Sequence, residues 1–188
     1  MHLADATWTD VEATDADLAL LPVGSTEQHG PHAALSTDAV AAESVASAAA
    51  DAHDRVVAVA PTIPVGVSAE HRQFAGTLWV SADTFRAYVR ETVESLFAQG
   101  FERVVLVNGH GGNTEALREV AATVSRETDG YAVAFTWFDA AEGMGHAGPV
   151  ETALLRHVRP DLVREERVAE AAEGAAERWG EWVAGVNL

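Results

Sequence analysis

Short, uniformly apolar segments alternate along the chain with longer segments of helical periodicity, and this alternation predicts the fold class. The predicted strands are residues 18–23, 56–60, 101–107 and 131–137, with a further short strand at 77–80. The predicted helices are residues 37–53, 81–100, 114–126, 150–156 and 161–179. Strands that are apolar on both faces are typical of a parallel sheet covered by helices on both sides. We therefore expect one α/β domain over residues 1–188 with a mostly parallel central sheet.

The composition excludes several classes of protein. With 188 residues and 48% hydrophobic content, the chain has enough apolar material for one sizeable core. No apolar run reaches the roughly 20 residues that span a bilayer, and the first residues lack the basic and apolar regions of a secretion signal, so we expect a cytoplasmic protein. The chain has no cysteine, which excludes disulfides, thiol nucleophiles and thiolate-bound metals. Any metal must therefore bind nitrogen and oxygen.

The charge is strongly one-sided. Asp and Glu total 29 against 12 basic residues, a formal net charge of −17, and every basic residue is arginine. Such a field repels phosphate backbones, so nucleic acid is not an expected partner. The acids form either a local tail or a coat over the whole surface. Their dispersion along the sequence favours the coat, which is typical of a cytoplasmic protein from a salt-accumulating halophile, where salt screens the self-repulsion.

Polar side chains collect where the predicted strands end. In parallel α/β sheets, ligands bind outside the carboxyl ends of the strands. Histidines and acids follow the first, third and fourth long strands at those points. They are Glu27, His29, His32 and Asp38 after the first strand, His110 after the third, and His146 with Glu151 after the fourth. We therefore expect these segments to meet at one edge of the sheet.

The spacing of the first group favours a shared site. Side chains 27 and 29 leave the same face of an extended segment, and Asp38 in the first turn of a predicted helix can fold back onto them. Carboxylates and imidazoles without thiolates are a donor set that Zn²⁺ or Mn²⁺ accepts. The alternative is that Glu27 and His29 are solvated loop residues and Asp38 only favours the helix N-terminus.

His110 strengthens the metal interpretation. It lies between two glycines at a strand end, where packing gives little reason for an imidazole. A glycine loop that cradles phosphate is the rival interpretation of the sequence GHGGN. Its spacing, however, matches neither the P-loop nor the GxGxxG fingerprint.

Four motifs of this chain resemble successive motifs of the creatininase (creatinine amidohydrolase) family. They are LPVGSTEQHGPH…STD, PTIPVGVSAEH…FAGT, VVLVNGHGGN and HAGPVET, found in the family's order between about Leu18 and Thr152. The resemblance implies a metal-dependent amide hydrolase with a three-layer, Rossmann-like α/β fold. It also implies a homo-oligomer, commonly a hexamer.

The resemblance further implies a role for each matching residue. Those that match metal ligands are Glu27, His29, Asp38 and His110, with Asp38 bridging two divalent ions, Zn²⁺ and/or Mn²⁺. We assign Glu27 and His110 to one ion and His29 to the other. His146 and Glu151 match a late pair near the scissile bond and are the predicted catalytic residues, with His146 as proton donor to the leaving nitrogen. Metal activation of water supplies the nucleophile.

Two departures from the family pattern bear on the substrate. Creatinine-hydrolysing members carry a glutamate ligand two residues after the glycine-loop histidine, where this chain has Gly112. Glu151 is the candidate to supply the missing carboxylate, as a ligand of the ion at His29. The tryptophan that packs creatinine shortly before the late histidine is also not seen in residues 142–145. Creatinine is therefore not the expected substrate.

Several functions stay open at this point. The family resemblance allows hydrolysis of a small-molecule amide or of a peptide terminus, such as removal of the C-terminal dipeptide from a mycofactocin precursor. It also allows deformylation of a ribosylaminopyrimidine phosphate in flavin or deazaflavin biosynthesis, or an inactive metal-binding assembly protein. STEQHGPH and HAGPVET are closer to the peptidase branch. A serine hydrolase using Ser25 or Ser68 is disfavoured, because neither lies in a G-x-S-x-G elbow.

Other residues in these motifs have predicted supporting roles. Asn113 is expected to cap the helix that follows it. The aromatic residues near strand ends, Phe74, Trp79 and Trp137, either line the substrate pocket or belong to the core, and the core is favoured. Arg72 either receives a substrate carboxylate or phosphate or forms a surface ion pair.

Overall fold

The computed structural model describes residues 1–172 and contains a four-stranded sheet. Its strands are β1 (Leu18–Val23), β2 (Ala58–Val59), β3 (Arg103–Asn108) and β4 (Tyr131–Thr136). Their order is β2-β1-β3-β4 and every pairing is parallel. The predicted α/β class with a parallel central sheet is confirmed.

Helices cover both faces of this sheet. They are α1 (Trp8–Glu12), α2 (Thr37–Asp51), α3 (Ala82–Ala98), α4 (Thr114–Glu127) and α5 (Pro149–Val158). The start of α3 follows from its sequence, because the Ser81 hydroxyl accepts a hydrogen bond from the Thr84 N–H at 3.2 Å. Within residues 1–172, no helix combines the length and the apolar character needed to cross a bilayer.

The fold has three layers, helices, sheet and helices, and a hydrophobic core lies on each side of the sheet. Side chains of β1 alternate, so that Ala19 and Leu21 face one side of the sheet while Leu20 faces the other. The first core packs against α3 and α4, and its largest buried members from those helices are Phe85, Val89, Val93 and Leu117. The second core packs against α2 through Ala46. Each strand is therefore apolar on both faces, as its sequence indicates.

Three predicted elements differ in the structure. Residues 77–80 form no strand, and only Leu78 makes an isolated antiparallel bridge, to Thr26. The strand predicted over 56–60 pairs with β1 only at its centre, Ala58–Val59.

The helix predicted over 161–179 is interrupted within the described residues. Two 3-10 turns, Pro160–Leu162 and Glu165–Arg167, precede helical residues 168–172, and the remainder of the prediction lies outside the described part of the chain. The interruption has a tertiary cause. Val163 bridges to Ala33, and the Arg164 N–H donates to the His32 carbonyl at 2.7 Å, which holds the intervening chain extended.

Two glycines let the strand ends approach the N-terminus of α2. Val23 and Asn108 pair in register at the ends of β1 and β3, and a glycine follows each of them. A Cβ at Gly109 would overlap the backbone carbonyl of Asp38, and one at Gly24 would lie 2.5 Å from the Cα atom of Ala39. Because only glycine fits at this contact, these two positions place Asp38 directly over the sheet edge.

Candidate metal centre

Six sequence-predicted residues meet at the carboxyl edge of the sheet. Glu27 and His29 lie in the loop after β1, Asp38 in the first turn of α2, His110 directly after β3, His146 in the loop before α5, and Glu151 in the first turn of α5. All are buried except His146, whose side chain is 22% exposed. The structure therefore brings the three segments together as expected from a parallel sheet. The role of these residues as ligands stays a prediction.

Carboxylates and imidazoles in this cluster face one another at short range. Asp38 Oδ1 lies 2.9 Å from His29 Nε2, and Asp38 Oδ2 lies 3.2 Å from His110 Nδ1. Glu27 Oε1 is also 3.2 Å from His110 Nδ1. Glu151 Oε2 is 3.8 Å from His29 Nε2. Asp38 therefore lies between the two histidines, with one oxygen toward each.

Three groups of side chains have candidate ligand atoms within 4.8 Å of one another. The groups are Glu27, Asp38 and His110; His29, His146 and Glu151; and Glu27, His71 and His146. The first two groups share no residue, and the contact between Asp38 and His29 joins them. The third group shares Glu27 with the first group and His146 with the second group. The geometry therefore offers two adjacent positions for a cation.

Backbone carbonyls determine which nitrogen of each histidine faces the carboxylates. His29 Nδ1 lies 3.2 Å from the carbonyl oxygen of Glu27, and His110 Nε2 lies 2.9 Å from that of Val67. A carbonyl only accepts hydrogen bonds, so these two nitrogens carry the proton. The other nitrogen of each neutral ring directs its lone pair at a carboxylate oxygen. That arrangement needs a proton or a cation between the two atoms, and it is the usual orientation of a metal-binding histidine.

Unsatisfied polar atoms test whether these residues fit a metal. Among residues 1–172, both carboxylate oxygens of Glu27, Asp38 Oδ2 and His29 Nε2 are buried without a hydrogen-bond partner. Burying an ionised carboxylate without compensation costs several kcal/mol or more. Carboxylate and imidazole donors without thiolates suit Zn²⁺ and Mn²⁺. The residues present therefore fit a divalent cation.

The carboxylates of the cluster shift the pKa of two of its histidines, His29 and His110, upward. Burial lowers the pKa of His29, but the Asp38 carboxylate, with Glu151 and Glu27, outweighs burial and raises that pKa to about 9. Burial likewise lowers the pKa of His110, and the carboxylates of Asp38 and Glu27 that face its ring outweigh burial, so that this pKa lies well above its ordinary value. The carboxylates thus hold positive charge at both positions.

Gln28 connects a second pair of histidines to the cluster. The Nε2 atom of His146 lies 2.7 Å from the Gln28 carbonyl oxygen, and Gln28 Nε2 lies 3.3 Å from His71 Nδ1. The two imidazole rings stack, with centroids 4.7 Å apart and planes inclined by 17°. Burial, and then the charge of neighbouring histidines, lowers the pKa of each to about 4. Both rings are therefore neutral near pH 7.

The N-terminus of α5 brings Glu151 to the cluster. Ala147 has a φ of 54°, which is uncommon for a residue other than glycine. Its N–H donates to Glu151 Oε2 at 2.6 Å and orients that carboxylate. Burial raises the pKa of Glu151. The carboxylate lies beside His29. The family resemblance predicts a carboxylate there, in place of the glutamate ligand that is missing at Gly112.

A cavity of about 490 Å³ opens onto the cluster. Its apolar wall is formed by Val67, Phe138 and Met144. Its polar lining is His71, Glu70 and every member of the cluster except His29. Of the described residues that line it, none is lysine or arginine. Arg72 is not among them, and its guanidinium donates to the Ala69 carbonyl at 3.2 Å.

Several supporting predictions are resolved by the structure. Trp137 is 9% exposed and packs edge-on against Phe138, so the core interpretation is right for it. Trp79 is 44% exposed and does not line the cavity. Asn113 occupies the cap position of α4, but its side chain caps nothing there. It accepts from the Val67 N–H at 2.9 Å and donates to the Gly24 carbonyl at 3.0 Å, which ties two loops of the site together.

Sequence reasoning missed three residues of the site. Gln28, Glu70 and Phe138 received no role, although the first two lie inside the motifs STEQHGPH and SAEH. Their position within those motifs is the signal that was available. Which side chain of a loop faces the cavity depends on the loop's path, and local spacing does not encode that path.

Fold and site together define an α/β protein with a buried carboxylate and imidazole cluster at the carboxyl edge of a parallel sheet, suited to divalent cations. The chain belongs to the Creatininase: Creatinine amidohydrolase family, which matches residues 4–187. This confirms the resemblance seen in the four motifs.

Individual relatives show the same similarity. The chain is 40% identical over 157 residues to the mycofactocin precursor peptide peptidase of Mycobacterium ulcerans (strain Agy99), covering 80% of this chain and 62% of that protein. It is 28% identical over 201 residues to the creatinine amidohydrolase of Pseudomonas putida, covering 90% and 76%. The chain thus spans 62% and 60% of the length of the peptidases from Mycobacterium ulcerans and Mycolicibacterium smegmatis.

Solved structures agree with the fold. A mutant creatininase described as the Zn-Zn type matches with a TM-score of 0.78 and 26% identity over 88% of this chain and 75% of that one. A creatininase structure described as the Mn form matches with a TM-score of 0.73 and 25% identity over 88% and 76%. The three-layer fold expected from the motifs is therefore confirmed.

Proposed function

We propose that this protein is a metal-dependent amidohydrolase that cleaves a terminal or non-peptide amide C–N bond. One observation carries the proposal: buried carboxylates of Glu27 and Asp38 face imidazole nitrogens at the base of a cavity, without other partners among the described residues. The relatives support it, since a precursor peptide peptidase and a creatinine amidohydrolase both hydrolyse amides.

The contacts favour a specific division of ligands. Glu27, Asp38 and His110 would hold one divalent ion, and His29 and Glu151 would hold the second, with Asp38 shared through its contact with His29. Zn²⁺ and Mn²⁺ both suit these donors, and creatininase structures of the Zn-Zn type and of the Mn form support both choices. A divalent ion supplies Lewis acidity here, which polarises a carbonyl and lowers the pKa of water from 15.7 to about 7.

His146 is positioned to move the proton that hydrolysis requires. Water adds to the amide carbonyl carbon, the C–N bond breaks, and one water proton must reach the leaving nitrogen. His146 Nε2 lies 2.7 Å from the Gln28 carbonyl oxygen and 2.8 Å from Gln28 Nε2, and His146 Nδ1 lies 3.6 Å from Glu27 Oε1. In the tautomer whose Nε2–H donates to that carbonyl, Nδ1 presents its lone pair beside Glu27. Nδ1 takes the proton from water and passes it to the leaving nitrogen.

Replacing His146 with alanine is expected to lower kcat at least about a hundredfold while both metal ions stay bound, because general acid–base help is typically worth 10² to 10⁴ in rate. Steady-state kinetics with elemental analysis of the same sample measures both. His157→Ala is the matched control, since His157 is exposed on α5. Near-normal turnover by the His146 variant would refute the assignment.

A peptide terminus is the substrate class that we favour. The chain is 37–40% identical to mycofactocin precursor peptide peptidases and 28% identical to a creatinine amidohydrolase. A purified, metal-loaded sample in high salt, offered creatinine, a formylaminopyrimidine nucleotide and a peptide ending in Val-Tyr, tests this directly. We expect loss of the Val-Tyr dipeptide and no turnover of creatinine. Cleavage of the nucleotide alone would favour the deformylase.

The cavity lining disfavours the deformylase alternative. A phosphate on the substrate is normally held by arginine, lysine or a helix N-terminus. The described lining residues include four carboxylates and no arginine or lysine. A phosphate would thus face carboxylates and meet no arginine or lysine in the described lining.

Salt is expected to stabilise the fold. We infer a cytoplasmic protein adapted to high salt from the dispersed net charge of −17 and the absence of lysine. Carboxylate repulsion grows as the screening length lengthens beyond roughly 8 Å, so the thermal midpoint should fall when salt drops below about 0.2 M. A series of melts from 3 M to 0.05 M salt measures this, and an unchanged midpoint would count against the acidic coat.

We also infer a homo-oligomer. Edge strand β4 exposes Tyr131, Val133 and Phe135, which alternate along the strand and so share one face of the sheet. Three large apolar side chains in a row are unusual on a surface this acidic, and a second copy of the chain would cover them. Light scattering in high salt should give a mass above one chain.

A further inference from the structure

Glu70 supplies a carboxylate to the cavity wall that belongs to neither proposed ion position. It lies in the 3-10 turn Ala69–His71 and its side chain is 19% exposed. Glu70 Oε1 is 3.7 Å from His110 Nε2, the nitrogen that donates to the Val67 carbonyl. The other nitrogen of that ring faces Glu27 and Asp38. Glu70 therefore lies on the opposite side of His110 from the proposed ions.

This carboxylate has few partners of its own. Within residues 1–172, its partners are His110 and its own backbone N–H, and no arginine pairs with it. Other acids in the described chain do have such partners: Glu94 and Glu127 both receive hydrogen bonds from Arg90. A half-buried carboxylate whose one backbone donor is its own N–H keeps acceptor capacity that a ligand can use.

The glycine loop beside Glu70 leaves this carboxylate accessible. A Cβ at Gly111 would meet no atom within 4 Å, so that side of the loop is open. A Cβ at Gly112 would lie 3.0 Å from Glu70 Oε1, so any side chain there would crowd the carboxylate. The two glycines thus keep a path from the cavity to Glu70.

The charges around the cavity indicate what Glu70 binds. Three of its four carboxylates, Glu27, Asp38 and Glu151, are assigned to the ions, which leaves Glu70 to face the substrate. An isolated carboxylate repels a carboxylate or phosphate and accepts hydrogen bonds from N–H groups, most strongly from cationic ones.

We propose that Glu70 is a specificity residue of the cavity, which accepts a hydrogen bond from an N–H or ammonium group of the substrate and excludes substrates with an anionic group at that place. The inference rests on the proposed amide hydrolysis and adds a chemical preference to it. It concerns recognition only, since Glu70 lies away from the reacting atoms.

A matched peptide series tests the preference. The peptides end in Val-Tyr and carry Lys, Gln or Glu at one of the two positions before that dipeptide. At one of these positions, the metal-loaded wild type should prefer Lys to Glu at least about tenfold in kcat/KM. Glu70→Gln should reduce that ratio to within about threefold, mainly through KM, and leave the metal content unchanged.

Controls and a second measurement keep the outcome decisive. Glu115→Gln removes the same charge from an 82%-exposed residue at the start of α4 and should leave the ratio unchanged. Glu70→Arg should reverse the preference toward the Glu peptide. Calorimetric binding of the same peptides measures the preference even when no peptide is cleaved. A lack of cleavage would reject the proposed peptide hydrolysis, and the binding data would still decide the role of Glu70. An unchanged Lys to Glu ratio in Glu70→Gln, in both binding and turnover, overturns the inference, as does loss of metal from that variant.

Discussion

Replacing Asp38 with asparagine is expected to remove metal from the protein and to lower amide hydrolysis at least about a thousandfold, since metal activation of water is lost. Asp38 directs one oxygen at His29 and the other at His110, at 2.9 Å and 3.2 Å. An asparagine offers one oxygen and no charge, so it cannot supply an anionic oxygen beside each histidine for a cation. Elemental analysis after desalting and a rate assay on the same preparation measure the two effects.

The matched control for this change is Asp83→Asn. The Asp83 side chain is 99% exposed in the first turn of α3, so the variant removes the same charge from the surface and from no member of the cluster. It should retain wild-type metal content and rate. Full metal occupancy in Asp38→Asn would show that Asp38 is not a shared ligand and would contradict the proposed centre.

Introducing glutamate at position 112 is expected to inactivate this protein, although creatinine-hydrolysing relatives are expected to carry glutamate there. A Cβ at Gly112 would overlap the carbonyl oxygen of Val67 and lie 2.5 Å from His110 Nε2. These two atoms form the hydrogen bond that orients the His110 ring. Losing that bond should displace His110 and cost about a hundredfold in rate, the upper end of the loss typical when a partner of a metal-binding histidine is removed.

Gly111→Ala separates this effect from a general intolerance of the loop. A Cβ at Gly111 meets nothing within 4 Å, and that glycine does not have a positive φ, so the variant should keep most of its activity and its metal. Both variants are assayed for metal content, the Val-Tyr peptide and creatinine. Creatinine hydrolysis gained by Gly112→Glu would contradict our account, because it would mean that Glu151 does not replace the missing carboxylate.

The sequence predicted the sheet and the meeting of the cluster for a simple physical reason. In a parallel sheet the carboxyl ends of all strands share one edge, so residues that follow β1 and β3 must lie near one another. This rule alone predicts that Glu27, His29 and His110 lie close together. The position of Asp38 depends in addition on a helix that starts close to the strand ends. The glycines at 24 and 109, which allow that approach, are visible in the sequence.

Other features could not be predicted because they depend on the paths of loops. The strand expected over 77–80 had the right composition, but it finds only a single bridging partner, Thr26. Asn113 follows the rule for a helix cap, yet its amide bonds to two other loops. Glu70 faces the cavity only because its turn packs beside His110. Local patterns carry no information about such contacts.

The central claim is that three segments of backbone deliver carboxylates and imidazoles to a common pair of cations. Anomalous diffraction from crystals of the Mn²⁺- or Zn²⁺-loaded protein, supported by elemental analysis, tests it most directly. We predict two ions per chain, one bound by Glu27, Asp38 and His110 and the other by His29, Asp38 and Glu151. A single ion, no ion, or ions held by other side chains would contradict the account.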